Sequence, residues 1–363
     1  MENNKSKYLE LVEFITKKIE ENELQPGKKI YSENQLSSMF GISRQTVRHA
    51  ISILVNEKLL IRIQGSGTYV NEVDKKDTVQ STRIAVITTY VDNYIFPKII
   101  QGIEKVLSKN GYAVQISFTN NAIDKERDVL EDILNKSDVA GIICETTMSG
   151  LPNPNMKLYR EIQKRKIPIL FINSYYAELQ APHVSINDKL TAKDAMQYII
   201  QKGHKKIGGI FKLDDGQGHL RYLGYIEAMK ENGLQPCEDN IVWLDTRDLK
   251  QLECCKDRIM DRIQGCSATF CYNDEVAFGI TKIMAKENMK IPEDMSIISI
   301  DNSELTTIGE IAITSMEHPK EKLGEKAAEN LCNLIRNKNY NATYEFETKL
   351  IERSSVRVID RHC

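Results

Sequence analysis

The sequence predicts an α/β protein in which a small winged helix-turn-helix domain precedes a larger domain of two lobes with doubly wound parallel sheets. Three observations lead to this prediction. Amphipathic helices joined by a glycine turn precede a glycine-centred hairpin, a polar stretch without periodicity follows, and near-continuous apolar strands then alternate with helices. Such strands are typical of parallel sheets covered on both faces. The predicted domains are residues 1–71 and 83–363, joined by a linker at 72–82.

Length, composition and charge narrow the possible functions. The chain has 363 residues, of which 41% are apolar and 28% charged, so it can form several cores and is not expected to be disordered. Its net charge is −2, so any nucleic-acid contact must come from a local patch. Met1–Lys7 lacks an apolar signal core, and no apolar run could span a bilayer. We therefore expect a cytoplasmic protein without membrane contact.

Cysteine and histidine are distributed without a metal-binding pattern. The eight cysteines form no C-x-x-C pair and the six histidines are scattered, so we expect buried, reduced thiols and no metal site. The chain also has neither a nucleophile elbow nor a phosphate-binding loop of the Walker type. These observations predict a protein that is not an enzyme, has no catalytic residues and needs no cofactor.

The N-terminal domain begins with a helix predicted over residues 8–22, which Pro26-Gly27 ends. Ser32 and Gln35 have the spacing of a capping box, so a second, short helix should begin there. A glycine turn and a third helix follow, and Leu59–Val70 is predicted to form two short strands. Helix, turn, helix and hairpin together indicate a winged helix-turn-helix.

The third helix, predicted from Ser43 to about Glu57, has two distinct faces. The apolar face has Val47, Ala50, Ile51 and Leu54; the polar face has Gln45, Arg48, His49 and Ser52, with Arg44 at the exposed start. No acidic residue occurs from Asn34 to Asn56. Arginine can bind guanine and glutamine can bind adenine in the major groove, while Ser43 and Thr46 suit phosphate contacts. The pattern predicts a DNA recognition helix.

Residues Lys5–Val70 resemble the DNA-binding domain of GntR-type regulators. The resemblance lies in Pro26-Gly27, Ser32-Glu33-x-x-Leu36, Ser43-Arg44-x-Thr46-Val47-Arg48 and Arg62-x-Gln64-Gly65-x-Gly67-Thr68, whereas Asn34 and His49 stand where many members have arginine. In that family the start of the recognition helix and the tip of the wing contact DNA. The resemblance and the polar face predict operator double-stranded DNA as a partner, contacted by Ser32, Glu33, Ser43, Arg44, Gln45, Thr46, Arg48, His49, Gln64, Gly65, Gly67 and Thr68. An ordinary hairpin turn would also need Gly65 and Gly67.

From Arg83 onwards about nine apolar strands alternate with helices, one of them predicted over Lys250–Ile263. Ligands bind outside the carboxyl ends of such strands, and a free sugar requires polar groups and an aromatic face. Strand ends supply Thr89, Tyr90, Glu145, Asn173, Asn273 and Asp301, and Arg221 lies at a helix start. Phe96 is as well suited to the core as to an apolar wall of the site, and Asp274 is expected to cap the helix it precedes.

The larger domain, from Arg83 to about Asp360, resembles the periplasmic-binding-protein-like effector domain of the lac/gal repressor family. The matching motifs are Lys202-Gly203-His204-Lys205-Lys206-Ile207, Arg221-x-x-Gly224, Cys271-Tyr272-Asn273-Asp274-x-x-Ala277, Ile291-Pro292-Glu293-Asp294-x-Ser296-Ile297 and Leu323-Gly324-x-x-Ala327. The resemblance implies one lobe of about 83–182 and 314–343 and another of about 183–313 and 344–363. It also places Asn173, Arg221, Asn273, Asp301 and His318 at positions that commonly face the effector.

A GntR-type head joined to a lac/gal-type effector domain resembles the arabinose-responsive repressors of low-GC Gram-positive bacteria. Further matches are Thr88-Thr89-Tyr90, Tyr94-Ile95-Phe96-Pro97, Tyr175-Tyr176-Ala177-Glu178-Leu179, Phe211-Lys212-x-Asp214-Asp215 and His318-Pro319-Lys320. The resemblance implies a homodimer that binds a palindromic operator and is released when L-arabinose or a related small sugar closes the cleft. Two alternatives stay open: a regulator controlled by a different sugar or by a protein co-regulator, and a sugar-binding receptor without a regulatory role.

Overall fold

The computed structural model describes residues 7–21, 23–56, 59–63, 65–71, 82–91, 94–136 and 138–359. The chain divides into two compact units, Met1–Gln80 and Ser81–Cys363, each with its own core. The predicted linker, apart from Thr82, lies outside the described residues. Within the described segments, no helix is both long enough and apolar enough to cross a membrane.

The first unit contains three helices and a two-stranded hairpin. Its elements are α1 (Lys7–Glu20), α2 (Glu33–Phe40), α3 (Arg44–Asn56), β1 (Leu60–Ile63) and β2 (Gly67–Val70). The strands pair antiparallel, with Leu60 opposite Val70. Its core joins all three helices through the fully buried side chains of Leu11, Ile15, Leu36, Val47, Ala50, Ile51 and Leu54. The predicted winged helix-turn-helix is confirmed.

Serine residues begin both helices of the helix-turn-helix, as predicted. Ser32 Oγ accepts a hydrogen bond from Gln35 N at 3.3 Å, and the Gln35 side chain accepts one from Ser32 N at 2.8 Å. Ser43 Oγ accepts one from Thr46 N at 3.1 Å. Gly41 ends α2 with a φ of 59°. These bonds satisfy N–H groups that a helix start leaves unpaired, so they fix where α2 and α3 begin.

The second unit alternates strands and helices through two lobes. The chain first forms β3 (Arg83–Thr88), α4 (Phe96–Lys109), β4 (Ala113–Phe118), α5 (Ile123–Asn135), β5 (Val139–Glu145), α6 (Met156–Lys164), β6 (Ile169–Ile172) and β7 (His183–Ile186). It continues through α7 (Asp188–Gln201), β8 (Ile207–Lys212), α8 (Gly216–Glu231), β9 (Ile241–Leu244), α9 (Thr246–Lys250), α10 (Lys256–Ile263), β10 (Ala268–Cys271), α11 (Asp274–Lys286), β11 (Ser296–Asp301) and β12 (Thr314–Glu317). The last elements are α12 (Lys320–Arg336), β13 (Tyr344–Phe346) and β14 (Leu350–Ile351).

Among the described residues, each lobe contains one six-stranded sheet. The strand order is β13-β7-β6-β5-β3-β4 in the first lobe and β14-β12-β11-β10-β8-β9 in the second. The neighbouring strands are parallel, except that β14 runs antiparallel to β12. Apolar clusters cover both faces of each sheet, which is what near-continuous apolar strands require. The predicted α/β fold with two doubly wound lobes is therefore confirmed.

The chain crosses between the lobes at positions that differ from the expected ones. β7 and β13 pair within the first sheet and β12 within the second, whereas the expected boundaries put each of them in the opposite lobe. Each strand completes the sheet of its own lobe before the chain crosses, and these short, partly polar strands lack the apolar pattern of the others. The crossings are Asn187, His318-Pro319 and residues 347–349, which together form the hinge.

Two further expectations need correction. The helix expected over Lys250–Ile263 is interrupted, because Gln251 leaves the helical conformation and a 3₁₀ turn separates α9 from α10. The thiols are free but not uniformly buried: Cys144, Cys266, Cys271 and Cys332 are buried, Cys255 is half-buried, and Cys237 and Cys254 are exposed. Cys363 lies outside the described residues.

Candidate DNA interface and ligand cleft

The polar face of α3 is exposed. Arg44, Gln45, Arg48 and His49 are all exposed, Thr46 is half-buried, and the opposite face is buried in the core. The Arg48 side chain is 64% exposed, and a guanidinium can donate two parallel hydrogen bonds to a guanine edge. The helix therefore offers the donors that the sequence predicts, and its contacts with DNA stay a prediction.

Glu33 connects the start of α2 to basic side chains of α3 and of the hairpin. One of its carboxylate oxygens accepts a hydrogen bond from Arg48 Nε at 2.8 Å, and the other lies 3.5 Å from Arg62 Nη2. A carboxylate repels DNA phosphates. The geometry therefore favours Glu33 as the residue that orients Arg48, whereas the sequence analysis placed it among the DNA contacts.

Other predicted DNA contacts also have partners inside the domain, and Ser43 Oγ lies 2.9 Å from Thr46 Oγ1. The Ser32 hydroxyl caps α2, and the His49 ring packs edge-on against Tyr8, with ring centroids 5.0 Å apart. Arg44, Gln45 and Arg48, which have long and exposed side chains, are better placed to reach the edges of bases.

The tip of the hairpin has a backbone suited to a close approach. Gly65 and Gly67 have φ values of 76° and 136°, which glycine adopts without a steric cost. Lys29 Nζ donates a hydrogen bond to the Ser66 carbonyl and so holds the turn against the segment before α2. Thr68 is half-buried in β2. Gln64 lies outside the described residues, so its contact with DNA stays a prediction.

A cavity of about 220 Å³ lies between the lobes of the second unit, where the carboxyl ends of their strands meet. The predicted sugar-binding residues that line it are Thr89, Tyr90, Phe96, Glu145, Arg221, Asn273, Asp301 and His318. Its wall also includes Tyr94, Asn121, Lys212, Asp215, Gln217, Tyr272 and Glu275. Asn173, the remaining predicted residue, lies behind the wall and contacts Glu145 and His318. The cavity therefore lies where parallel sheets usually bind ligands.

Arg221, on α8, is the centre of the second lobe's wall. Its side chain is 2% exposed, and its Nε donates to Asp188 Oδ1 at 2.8 Å while Nη1 donates to the Tyr272 carbonyl at 2.6 Å. Its Nη2 lies 3.9 Å from Asp301 Oδ1. Although burial acts against the charge, Asp188 and Asp301 raise the pKa of Arg221. The guanidinium is thus a fixed, charged donor at the bottom of the cavity.

Asp301, at the end of β11, connects the two lobes. Tyr94 of the first lobe donates its hydroxyl hydrogen to Asp301 Oδ2. Burial raises the pKa of Asp301 to about 7, although the neighbouring Arg221 opposes this shift. Asp301 therefore joins a donor of each lobe at the edge of the cavity. Tyr94 was not among the site residues predicted from the sequence.

Glu145, at the end of β5, is held by three hydrogen bonds. Its Oε2 accepts from Thr89 N at 2.8 Å and from Thr89 Oγ1 at 2.5 Å, and its Oε1 accepts from Asn173 Nδ2 at 2.7 Å. Burial raises the pKa of Glu145, and these hydrogen bonds oppose the shift. His318 Nε2 lies 3.2 Å from Asn173 Oδ1. Burial lowers the pKa of His318 to about 3, so its imidazole is neutral near pH 7.

Two aromatic rings form the less polar part of the wall. Tyr90 and Phe96 meet edge to face, with ring centroids 5.7 Å apart. Burial, with a smaller effect of Glu275, raises the pKa of Tyr90 to about 12, so its hydroxyl keeps its proton at neutral pH. Phe96 also belongs to the first lobe's core, and both roles considered for it are compatible with its position.

Asn273 caps α11, a role the sequence analysis assigned to Asp274. The Asn273 side chain accepts a hydrogen bond from Val276 N at 3.0 Å. Asp274 is fully buried and accepts from Ser299 Oγ at 2.5 Å and from Ser315 Oγ at 2.6 Å. The cap assignment of Asp274 was therefore wrong by one residue, because Asp274 joins α11 to β11 and β12 instead.

Beside the cavity the two lobes touch along a polar seam. Ser149 of the first lobe donates to Asp215 Oδ1 at 3.2 Å and accepts from Gly216 N at 3.0 Å. Asn121 of the first lobe donates to Thr246 Oγ1 of the second at 2.7 Å. These contacts join the two lobes beside the cavity, and Asp215 belongs both to the seam and to the cavity.

Several residues of the cavity wall were not predicted, although their positions in the sequence indicated them. Lys212, Asp215 and Tyr272 each lie at or just after the end of a strand, which is where the rule for parallel sheets directs attention. Across the described residues, no group of three or more histidine, cysteine or acidic side chains is arranged to hold a metal ion. The wall offers fixed hydrogen-bond donors and acceptors, an arrangement suited to binding a small polar molecule.

Comparison with known proteins relates both units to transcription regulators. Residues 7–70 match the bacterial regulatory proteins of the gntR family, and residues 196–356 match the periplasmic binding protein-like domain. An arabinose metabolism transcriptional repressor of Halalkalibacterium halodurans is 35% identical over 352 residues, covering 95% of this chain and 94% of the relative. A protein of the same name from Geobacillus stearothermophilus is 32% identical over 358 residues, covering 97% and 98%.

A solved structure agrees with the fold over most of the chain. The transcription regulator CcpA of Lactococcus lactis aligns with a TM-score of 0.68 at 25% identity, covering 76% of this chain and 99% of that chain. The relatives match both units, the head and the two-lobed domain, over nearly their whole lengths. The chain therefore belongs to the family of arabinose metabolism transcriptional repressors, which are regulators and not enzymes.

Proposed function

We propose that this repressor binds a palindromic operator as a homodimer and releases it when L-arabinose closes the cleft between the lobes. The observation that carries the proposal is the polar cavity around Arg221, on a chain whose head exposes Arg44, Gln45 and Arg48. The names of both relatives refer to arabinose metabolism, which supports L-arabinose as the effector.

A neutral sugar suits the chemistry of the cavity wall. The wall combines the carboxyl groups of Glu145, Asp215, Glu275 and Asp301 with the donors of Lys212, Arg221 and Asn273. Each sugar hydroxyl can donate one hydrogen bond and accept others, so it can pair with both kinds of group. The Tyr90 and Phe96 rings offer an apolar surface to the C–H groups of a sugar ring.

Closure of the lobes is the step that would link the sugar to DNA. Thr89, Tyr90 and Glu145 belong to the first lobe, whereas Asp215 and Arg221 belong to the second. A sugar that contacts both walls binds the closed arrangement more tightly than an open one. This difference in affinity determines how far the sugar shifts the lobes towards closure. Such coupling is typically about 1–3 kcal/mol and acts in both directions. In a dimer, movement of the lobes changes how two recognition helices match their half-sites.

The edge strand β4 supplies a surface on which two copies could pair. Ile116 and Phe118 are 44% and 47% exposed on the outermost strand of the first sheet. Strands of parallel sheets are usually covered on both faces, and an exposed apolar edge favours association. A second copy related by a twofold axis would cover these side chains. Sedimentation velocity of the full chain is expected to give a dimer, and a monomer at all concentrations would contradict this part of the proposal.

Replacing Arg48 with alanine is expected to lower operator affinity by about 1–3 kcal/mol and to relax the preference at one base pair. The exposed guanidinium, which Glu33 orients, is the best-placed donor for a guanine edge. Fluorescence anisotropy with an operator selected from random duplexes measures both effects. Lys17→Ala, which removes one positive charge from an exposed position on α1, should keep the base preference. If Arg48→Ala kept the affinity and base preference of the unaltered protein, the recognition surface would have to lie elsewhere.

A panel of sugars tests the effector directly. Gel-shift titrations of the protein–operator complex with pentoses and hexoses should show release by L-arabinose, because the cavity is small and densely polar. If only a different sugar released the operator, the proposed mechanism would stand, and that sugar would replace L-arabinose as the effector. The absence of release by any sugar would contradict sugar control and favour a protein co-regulator.

A further inference from the structure

Three buried side chains form a chain of hydrogen bonds behind the cavity and lead into the hinge. Glu145 ends β5, Asn173 follows β6, and His318 lies in the crossing between β12 and α12. Asn173 Nδ2 lies 2.7 Å from Glu145 Oε1, and Asn173 Oδ1 lies 3.2 Å from His318 Nε2. Glu145 and His318 face the cavity, while Asn173 lies between them without lining it. Asn173 can therefore influence a bound molecule only through its two neighbours.

The donors and acceptors of this chain can be assigned from one end. Glu145 Oε2 accepts hydrogen bonds from both the backbone N–H and the hydroxyl of Thr89, and an ionised carboxylate can only accept. Asn173 must then direct its NH₂ group to Glu145 and its carbonyl oxygen to His318. A carbonyl oxygen can only accept, so His318 Nε2 must carry the ring proton and Nδ1 must be the bare nitrogen.

The atom at the far end of this series of hydrogen bonds is His318 Nδ1. It is buried, and it has no hydrogen-bond partner among the described residues. A buried acceptor without a donor is destabilising and calls for an explanation, and a hydroxyl group of a bound molecule would supply the missing donor. The ring itself is part of the cavity wall, and its low pKa keeps it neutral rather than doubly protonated.

We propose that Asn173 is a positioning residue that fixes His318 as the Nε2–H tautomer, so that Nδ1 accepts a hydrogen bond from a hydroxyl group of the bound sugar. This inference rests on the proposed function and deepens it. With Nδ1 as an acceptor, one contact in the cleft favours a sugar hydroxyl group that donates its hydrogen. Sugars in which that hydroxyl is removed or methylated lose the donor and leave Nδ1 unpaired, so they bind more weakly than the parent sugar.

The tautomer can be tested without any sugar. Magic-angle-spinning ¹⁵N spectra of the sedimented full chain, labelled in its histidines, separate ring nitrogens that carry a proton from those that do not. The His318 signals are assigned by their absence from His318→Gln. The expected result is a protonated Nε2 and a bare Nδ1 at neutral pH. The reverse tautomer, or a doubly protonated ring, would overturn the assignment whether or not the protein binds sugar.

Glu145→Gln provides a sharper test because it should reverse the direction of the hydrogen bonds that join residue 145, Asn173 and His318. The glutamine carbonyl would stay with Thr89 N–H, and its NH₂ group would then face Asn173. Asn173 would have to turn its carbonyl to residue 145 and its NH₂ group to His318, so that the proton moves to Nδ1. His204, whose ring contacts Ser267 Oγ and the Arg357 carbonyl, is an internal control that should keep its tautomer. An unchanged His318 tautomer in Glu145→Gln would show that Asn173 does not set it.

Sugar binding separates this inference from the function on which it rests. Calorimetry first establishes whether L-arabinose binds the unaltered full chain, and its failure to bind would contradict the proposed function. If it binds, the Nδ1 signal should move in the direction expected for an accepted hydrogen bond. One of the monodeoxy or O-methyl derivatives of L-arabinose should also lose at least about tenfold in affinity. An Nδ1 signal that is unchanged in the saturated protein would overturn the acceptor role while leaving the function intact.

Discussion

Arg221→Ala is expected to abolish release of the operator by L-arabinose and to lower the free energy of unfolding of the two-lobed domain by about 3–5 kcal/mol. The substitution removes the bond to Asp188 and the neighbouring charge of Asp301, and it leaves two buried carboxyl groups without their cation. It also removes the fixed donor at the bottom of the cavity. Urea denaturation measures the first effect, and gel-shift titration with sugar below the lowered melting temperature measures the second.

Arg258→Ala is the matched control for this substitution. Arg258 also pairs with an aspartate, at 2.7 Å from Asp248, but half of its side chain is exposed. Exposed ion pairs contribute about 0–1 kcal/mol, so this variant should keep both its stability and its response to sugar. Operator binding without sugar should persist in both variants, since neither residue belongs to the head. A normal sugar response in folded Arg221→Ala would contradict the role assigned to Arg221.

Gly150→Ala is expected to give a repressor that no longer leaves its operator at sugar concentrations that release the unaltered protein. Gly150 lies on the first lobe's side of the seam, and a Cβ atom there would overlap the Leu213 carbonyl oxygen and lie 2.8 Å from Asp215 N. These two nearest obstacles are backbone atoms of the second lobe, so the lobes themselves must separate. Crowding of this kind costs about 1–3 kcal/mol, which corresponds to roughly a 5–150-fold weaker sugar affinity.

Gly216→Ala tests whether the effect of Gly150→Ala comes from crowding rather than from the loss of a glycine. Gly216 belongs to the same seam, but its added Cβ would meet Ser149 Oγ at 3.4 Å, an ordinary contact. Neither glycine has a positive φ, so backbone strain should not distinguish them. Calorimetry with L-arabinose should give a large loss of affinity for Gly150→Ala and a small one for Gly216→Ala. Equal affinities in the two variants would contradict a close approach of the lobes at Gly150.

Features that depend on neighbouring residues could be predicted from the sequence. Ser32 and Ser43 begin their helices because a cap needs only a hydroxyl next to the first unpaired N–H groups. The buried and exposed faces of α3 follow from spacing alone. Nearly all of the predicted sugar-binding residues do line the cavity, because side chains such as Glu145 and Asp301 lie where strands end and parallel strands bring those ends together.

Features that depend on pairs of distant residues could not be predicted in this way. Asp301 meets Tyr94 across 207 positions of the chain, and Arg221 meets Asp188 across 33. No local pattern specifies which partner is chosen. The same limit explains Asp274: it and Asn273 are both suitable caps, and only the packing of Ser299 and Ser315 against Asp274 decides between them.

The boundaries of the lobes were misplaced for a related reason. β12 and β13 are short and contain polar residues, so they lack the apolar run by which other strands can be identified. Their membership is decided by pairing with strands far along the chain. The correction matters for function because it places His318 in the hinge, next to both the cavity and the crossing between lobes.

In the proposed mechanism, sugar and operator DNA favour different arrangements of the two lobes, so each ligand weakens the binding of the other. Calorimetric titration of L-arabinose into the full chain, with and without saturating operator, tests it most directly because coupling between two sites must be reciprocal. Bound operator is expected to weaken sugar affinity by roughly 5–150-fold. Equal sugar affinity in the presence and absence of operator would contradict the account.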